Sequence, residues 1–270
     1  MMRSLWTAAS GMVAQQTNLD TISNNLSNIN TTGYKTEAVN FKSLIYQTLQ
    51  QKSYDSKGEP KPVSAQVGLG VRPAAIVSSF TQGALLESSG AFDYAIEGEG
   101  FFMVRQNDGT IGYTRNGNFF LSVDTEGTVL CTAEGYPVLS SEGQPIVLDP
   151  QYQSTKITVD GDGNICYPDE SNNAQPIGIK IGLYQFPNPS GLTKVGNSYL
   201  AESDASGVAI NEEDGVVSKS KLKQGYLESS NVNVATEMVN LITAQRAYEL
   251  CSKAITTSDT MMEQANNLKR

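Results

Sequence analysis

The sequence predicts an α+β fold: long N- and C-terminal helices pairing as a coiled coil, with a β-rich middle domain. Three observations carry that reading. All ten prolines lie between Pro60 and Pro189, leaving the first 59 and the last 81 residues without one. Sixteen of the 24 glycines fall in the same window, and the 45 residues after Gly225 contain neither Gly nor Pro. Pro and Gly punctuate turns and break helices, so their confinement separates helix-compatible ends from a turn-rich centre. The apolar period changes with them, from seven-residue recurrence at both ends to alternation in the middle.

The first helix is expected from about Ser4 to Asn30. Leu5, Met12, Leu19 and Leu26 recur every seven residues, and Ala8, Gln15, Ile22 and Ile29 form the adjacent row. Two such rows make a narrow apolar seam, which requires a partner helix to cover it. Asn24, Asn25, Ser27 and Asn28 lie off the rows and are expected to face water or a neighbouring molecule. Gly33 is the predicted helix stop, supplying the left-handed conformation that a C-cap commonly uses. An extended segment, about Thr36 to Val71, follows; it includes the turn-rich stretch "SYDSKGEPKPVS".

The middle reads as short strands. Turn signals recur at Asn107-Asp108-Gly109, Arg115-Asn116-Gly117, Thr125-Glu126-Gly127 and Ala133-Glu134-Gly135, a spacing that suggests successive hairpins. The last helix, from about Asn233 to Leu268, repeats the seven-residue logic through Val234, Leu241, Tyr248, Ile255 and Met262. A neighbouring row of small residues comprises Ala244, Cys251, Ser258 and Ala265. Asn233 is the expected N-cap, and Glu237 suits the positive end of the helix dipole. Arg246 has Glu249 and Asp20 as candidate partners, with a snorkelling surface position as the third reading.

Composition removes several kinds of chemistry. The absence of His excludes Ser-His-Asp and Cys-His arrangements and imidazole metal ligands. Cys131, Cys166 and Cys251 are widely spaced, which offers no zinc motif and no complete disulfide framework. The turn from Asp160 to Asn164 opens like a calcium loop, but Ile165 stands where glycine is needed and Ser171 where glutamate is needed. The G-x-G pairs at Gly68 and Gly98 lack the third glycine and a following helix. The net charge of −9 is concentrated centrally: residues 60–189 carry six basic and fourteen acidic side chains. That argues against a nucleic-acid partner. No apolar run approaches the ~20 residues of a membrane span. The first residues lack the apolar stretch of a secretory signal. No catalytic constellation, cofactor motif or metal site is expected.

The opening "RSLWTAASGMVAQQTNLDTISNNLSNINTTGYK", the internal "IEGEGFFMV" and "YTRNGNFFL", and the closing "GYLESSNVNVATEMVNLITAQRAYELCSKAITTSDTMM" together resemble the rod and hook proteins of the bacterial flagellum. Chain length, Arg3-Ser4-Leu5-Trp6 and Ser229-Ser230-Asn231-Val232-Asn233-Val234 favour the distal rod members, with a proximal rod member as the alternative. The resemblance implies a structural subunit, not an enzyme. Many copies would stack into a hollow, straight tube that transmits torque and lines an export channel, reached without a Sec signal. It implies an assembly domain at 1–32 plus 233–270, an extended connecting segment with a hairpin at 33–75 plus 216–232, and a β-rich outer domain at 76–215. Implied partners are further copies of the chain, proximal rod and hook-side proteins, and in some bacteria ring proteins acting as a bushing, with no membrane insertion. A secreted adhesin and a cell-wall hydrolase are the competing functions; neither is favoured by any motif.

Overall fold

The computed structural model describes residues 2–50, 65–124, 127–149, 151–153, 156–169 and 173–268. All of "SYDSKGEPKPVS", Thr125-Glu126 and Ser171 therefore lie outside the described residues. The chain divides into two compact units. One comprises Met1–Ser27, Glu37–Ser78 and Asn233–Arg270; the other comprises Asn28–Thr36 and Ser79–Val232. The architecture is α+β, with a helix at each end of the chain and a β-rich middle.

In the first unit, α1 (Met2–Ser27) and α2 (Val234–Asn267) run antiparallel. Ser4 meets Ser258 at 3.4 Å through their hydroxyls. A Cβ added at Gly11 would lie 3.1 Å from Cys251 Sγ, and Asn25 Nδ2 donates to Glu237 Oε2 at 3.2 Å. These contacts step by seven and then fourteen positions along each helix in opposite directions, so the register holds along the pair. Asn233 caps α2 by accepting from the Thr236 amide at 3.2 Å. The chain runs out along β1 (Glu37–Ser43) and β2 (Tyr46–Gln50) and returns along β3 (Ala65–Gly68) and β4 (Val71–Ser78). β1 pairs with β4, with a bulge between Asn40 and Phe41, and β2 pairs with β3. The β1–β4 ribbon packs on α1, where the Val71 amide donates to Ser10 Oγ at 3.3 Å.

The helix ends at Ser27, not at Asn30. Asn28 to Asn30 form turns, in which the Thr31 amide donates to the Asn28 carbonyl at 3.2 Å. The run of Asn, Ser and Thr competes for backbone hydrogen bonds and outweighs the apolar period that Ile29 continues. Gly33 does adopt a left-handed φ of 70°, but six residues after the helix. It is therefore a turn glycine and not the helix stop. A Cβ there would lie 2.8 Å from the backbone of Arg115 and Asn116, so close approach as well as φ requires glycine.

The second unit begins with β5 (Leu85–Glu87), β6 (Tyr94–Glu97), β7 (Phe101–Arg105), β8 (Ile111–Thr114), β9 (Phe119–Asp124) and β10 (Gly127–Thr132). It continues through β11 (Val147–Leu148), β12 (Thr158–Val159), β13 (Asn164–Pro168), β14 (Ala174–Lys180) and β15 (Leu183–Gln185). The last strands are β16 (Thr193–Gly196), β17 (Tyr199–Ala201), β18 (Ile210–Asn211), β19 (Lys221–Gln224) and β20 (Tyr226–Glu228). The largest sheet has the order β16-β17-β8-β7-β15-β18. Two three-stranded sheets, β11-β10-β9 and β12-β13-β14, and the pairs β19–β6 and β20–β5 complete the unit.

β7 lies at the heart of it, because "FFMV" is buried on both faces. Phe102 and Val104 enter one cluster with Tyr94, Phe119, Leu130 and Ile181. Phe101 and Met103 enter the other with Tyr113, Leu139 and Phe186. A continuous apolar run is what a strand covered on both sides needs. Asn107-Asp108-Gly109 closes a hairpin between β7 and β8. Arg115-Asn116-Gly117 does not: β8 and β9 belong to different sheets, so this stretch is a crossover. Its glycine allows close passage, since a Cβ at Gly117 would lie 1.8 Å from the Tyr94 carbonyl oxygen. Asp160 to Asn164 form the turn from β12 to β13, with the Asp160 amide bonded to the Asn164 carbonyl.

Candidate assembly surface and connector joint

The predicted seam residues divide by position. Ile22 is buried, and Leu5, Met12, Leu19 and Leu26 are half-buried along α1. Ile29 is half-buried in the turn beyond the helix. On α2, Leu241, Tyr248, Ile255 and Met262 are half-buried and Ala244 is buried, whereas Val234 at the first position is exposed. The direct helix contacts at Ser4, Gly11 and Asn25 fall one position before the predicted row of α1. On α2, Cys251 and Ser258 come from the row of small residues, which lets the helices approach closely.

Much apolar surface of this unit remains uncovered. Trp6 and Val13 project from α1, and Met238, Val239, Ile242 and Leu250 from α2. Ile45, Tyr46 and Leu49 are exposed along the outer ribbon. A two-stranded ribbon is marginal in water by itself, and contiguous exposed apolar patches mark interaction surfaces. Arg246 pairs with Glu249 at 2.8 Å on the exposed side of α2, a surface pair of about 0–1 kcal/mol.

Asn25 departs from expectation. It is buried, and its Oδ1 accepts from the Glu37 amide at 2.9 Å while its Nδ2 donates to the Glu37 carbonyl at 2.8 Å and to Glu237. One side-chain amide thus ties the end of α1 to the start of β1 and the first turn of α2. An isolated Asn off the apolar rows gives no periodic signal of its burial.

The second unit has a polar joint where its chain segments enter and leave. Glu228, 2% exposed, accepts from Lys35 Nζ at 2.6 Å and the Gly83 amide at 2.8 Å through Oε1, and from Arg115 Nη1 at 3.3 Å through Oε2. Its carbonyl accepts from the Gly33 amide at 2.8 Å. Asn231 Oδ1 accepts from the Thr36 amide and hydroxyl, both at 2.7 Å. Asn231 Nδ2 donates to the Ser79 carbonyl at 2.9 Å and to Thr81. The Arg115 guanidinium also lies over the Phe101 ring, 5.1 Å from its centroid, and donates to the Gly98 carbonyl at 2.7 Å. Its Nε is the one buried side-chain nitrogen or oxygen without a partner among the described residues.

Burial pushes the Lys35 ammonium below the ordinary lysine value, partly offset by Glu228, and acts on Arg115 in the same direction. Desolvation pushes Tyr113 up to about 12, aided by the Glu202 carboxylate. These shifts arise in packed structural positions. Among the described residues, no group of His, Cys, Asp and Glu could hold a metal ion. An open groove of about 470 Å³ is lined by Thr158, Val159, Asp160, Asn164, Cys166, Ala174 and Pro176. Burial raises the Cys166 thiol above its ordinary value, which disfavours the nucleophilic thiolate. Lys35, Arg115, Glu228 and Asn231 all lie within motifs quoted for the resemblance, and that was the only signal that could have singled them out.

Terminal helices flanking a β-rich middle, with exposed apolar surface on the first unit, suit a structural assembly protein. Comparison with known proteins agrees. Residues 5–35 match the family described as "Flagella basal body rod protein", residues 95–167 "Flagellar hook protein FlgE/F/G D1 domain", and residues 223–268 "Flagellar basal body rod FlgEFG protein C-terminal". The chain is 44% identical to the flagellar basal-body rod protein FlgG of Borreliella burgdorferi, with all of both chains covered. It is 38% identical to the FlgG of Bacillus subtilis, again with all of both chains covered. It is 40% identical to that of Buchnera aphidicola subsp. Schizaphis graminum, over 99% of this chain and all of the relative. The chain belongs to the FlgG family of flagellar basal-body rod proteins. No helix among its described residues is long and apolar enough to cross a membrane.

Proposed function

We propose that this chain is a structural subunit of the flagellar distal rod, polymerising into a hollow, straight shaft that carries torque from motor to hook. The single observation that carries the assembly reading is the uncovered apolar surface of the first unit, borne by both helices and the β2–β3 ribbon. Such surface on a chain with this family membership is best matched by further copies of itself. The terminal helices would pair as a coiled coil around an export channel, and the seam residues Leu5, Met12, Leu19, Ile22, Leu26, Ile29, Val234, Leu241, Tyr248, Ile255 and Met262 would support that assembly. Proximal rod proteins below and hook-side proteins above are the expected neighbours, with ring proteins as a bushing where a bacterium has them. The role is mechanical and requires no catalysis.

Electron microscopy of the purified chain at high concentration tests this reading. Straight, hollow tubes are the expected product. Curved tubes would move the assignment to the hook, and particles that stop after a few copies would move it to the proximal rod. A chain that stays monomeric at every concentration, and does not add to isolated rods, would overturn it.

A further inference from the structure

Three separate stretches of the second unit converge on two residues. The chain enters and leaves this unit at Asn28–Thr36, at Ser79 and at Val232. Glu228 holds Gly33 and Lys35 from the first stretch and Gly83 from the second. Asn231 holds Thr36 from the first and Ser79 and Thr81 from the second. The stretches also bond to each other directly: the Ser79 amide donates to the Thr36 carbonyl at 2.8 Å, and Lys35 Nζ donates to the Thr81 carbonyl at 2.9 Å. The Asn231 amide donates to the Tyr34 carbonyl at 3.4 Å, and the Ser229 amide to that of Ala84 at 2.8 Å.

Apolar contacts slide at little cost, whereas a buried hydrogen-bond network is satisfied in one arrangement only. We infer that Glu228 and Asn231 form a keystone that locks residues 33–36, 79–83 and 228–231 into one cooperative element, which opens as a whole or not at all. A load arriving along any one of these stretches is then shared by all three. The rod reading supplies the purpose of this lock. The lock itself is a property of the single chain and is tested there, so a failure of tube formation does not bear on it.

Amide hydrogen exchange on the full-length chain distinguishes a keystone from a set of independent bonds. The key variant is Asn231→Ala, which removes the side chain's bonds to Thr36, Ser79 and Thr81. Exchange is expected to rise about tenfold at Thr36, whose half-buried amide loses its acceptor. It is expected to rise by a similar factor at Gly33 and Gly83, which bond to Glu228 and not to Asn231. The core amides of Val138 and Leu139 should stay unchanged. A rise confined to Thr36 would overturn the proposal, because the bonds then act separately. A uniform rise that includes Val138 and Leu139 would also overturn it, because Asn231 then supports only global stability. Thr81→Val, a milder change to the same network, provides the reading if Asn231→Ala does not fold: the same set of amides should respond together by a smaller factor.

Discussion

Lys35 shows how a single residue can matter without announcing itself. Its ammonium is buried and sits 2.6 Å from Glu228, yet desolvation outweighs the pairing and holds its pKa below 10.5. Between the lowered folded value and the unfolded value of about 10.5, the unfolded chain binds more protons, so stability from this group rises with pH across that window. Below the window the charged lysine carries its full desolvation cost. The stability difference between the natural chain and Lys35→Met should therefore shift in favour of lysine as pH climbs towards 10.5. Urea titrations of both proteins at each pH check this; the raised tyrosines titrate alike in both and cancel. A difference that stays flat, or that turns against lysine, would mean that Glu228 and not burial dominates. None of this was legible beforehand. Lys35, Glu228, Asn231 and Asn25 are isolated polar residues whose partners lie far away in sequence, and no local period marks them.

At the scale of the element, legibility was greater and its failures are instructive. The absence of Pro at both ends, and of Gly after Gly225, located the helices, and along the main seven-residue row of α2 Leu241, Tyr248, Ile255 and Met262 are half-buried while Val234 is exposed. The N-terminal helix was less readable because it has two covered faces. Ser10 and Asn25 bond to β4 and β1 from the helix face they share with the buried Ala14 and Thr21, and a covering ribbon outside the helix leaves no mark on the helix period. Gly11 was also passed over, although it marks where the helices come closest. Gly→Ala inside a helix ordinarily stabilises by about 0.5–1 kcal/mol. Here the new Cβ would lie 3.1 Å from Cys251 Sγ, tighter than ordinary contact. Gly11→Ala should therefore gain little or lose stability by itself, and should recover the ordinary gain of about 0.5–1 kcal/mol in a Cys251→Ala background. Thermal unfolding followed by far-UV circular dichroism reads the double-mutant cycle. Equal effects of Gly11→Ala in both backgrounds would show that the helices do not hold this separation.

For the whole molecule, folding and assembly place different demands on neighbouring residues of α2. Leu241 is half-buried within the chain, so Leu241→Asp damages the folded monomer as well as any polymer. Ile242, one residue on, is 53% exposed in the single chain. An aspartate there stays hydrated until another copy covers it. Only then does it become an unpaired carboxylate at an apolar contact, at a cost of several kcal/mol. Ile242→Asp should leave the monomer's melting within about 0.5 kcal/mol of the natural chain, as surface changes usually do, while abolishing tubes and motility. Ionic strength separates this mechanism from simple repulsion. The central acidity, fourteen acidic against six basic residues over 60–189, gives copies a like-charge repulsion that salt screens over about 10 Å at 0.1 M. Salt should thus promote assembly of the natural chain. It should not rescue Ile242→Asp, because a desolvation cost at a dry contact is not relieved by counterions in the surrounding water. Rescue by salt, or normal rods without it, would place Ile242 outside the contact between copies and would return the uncovered face of α2 to solvent.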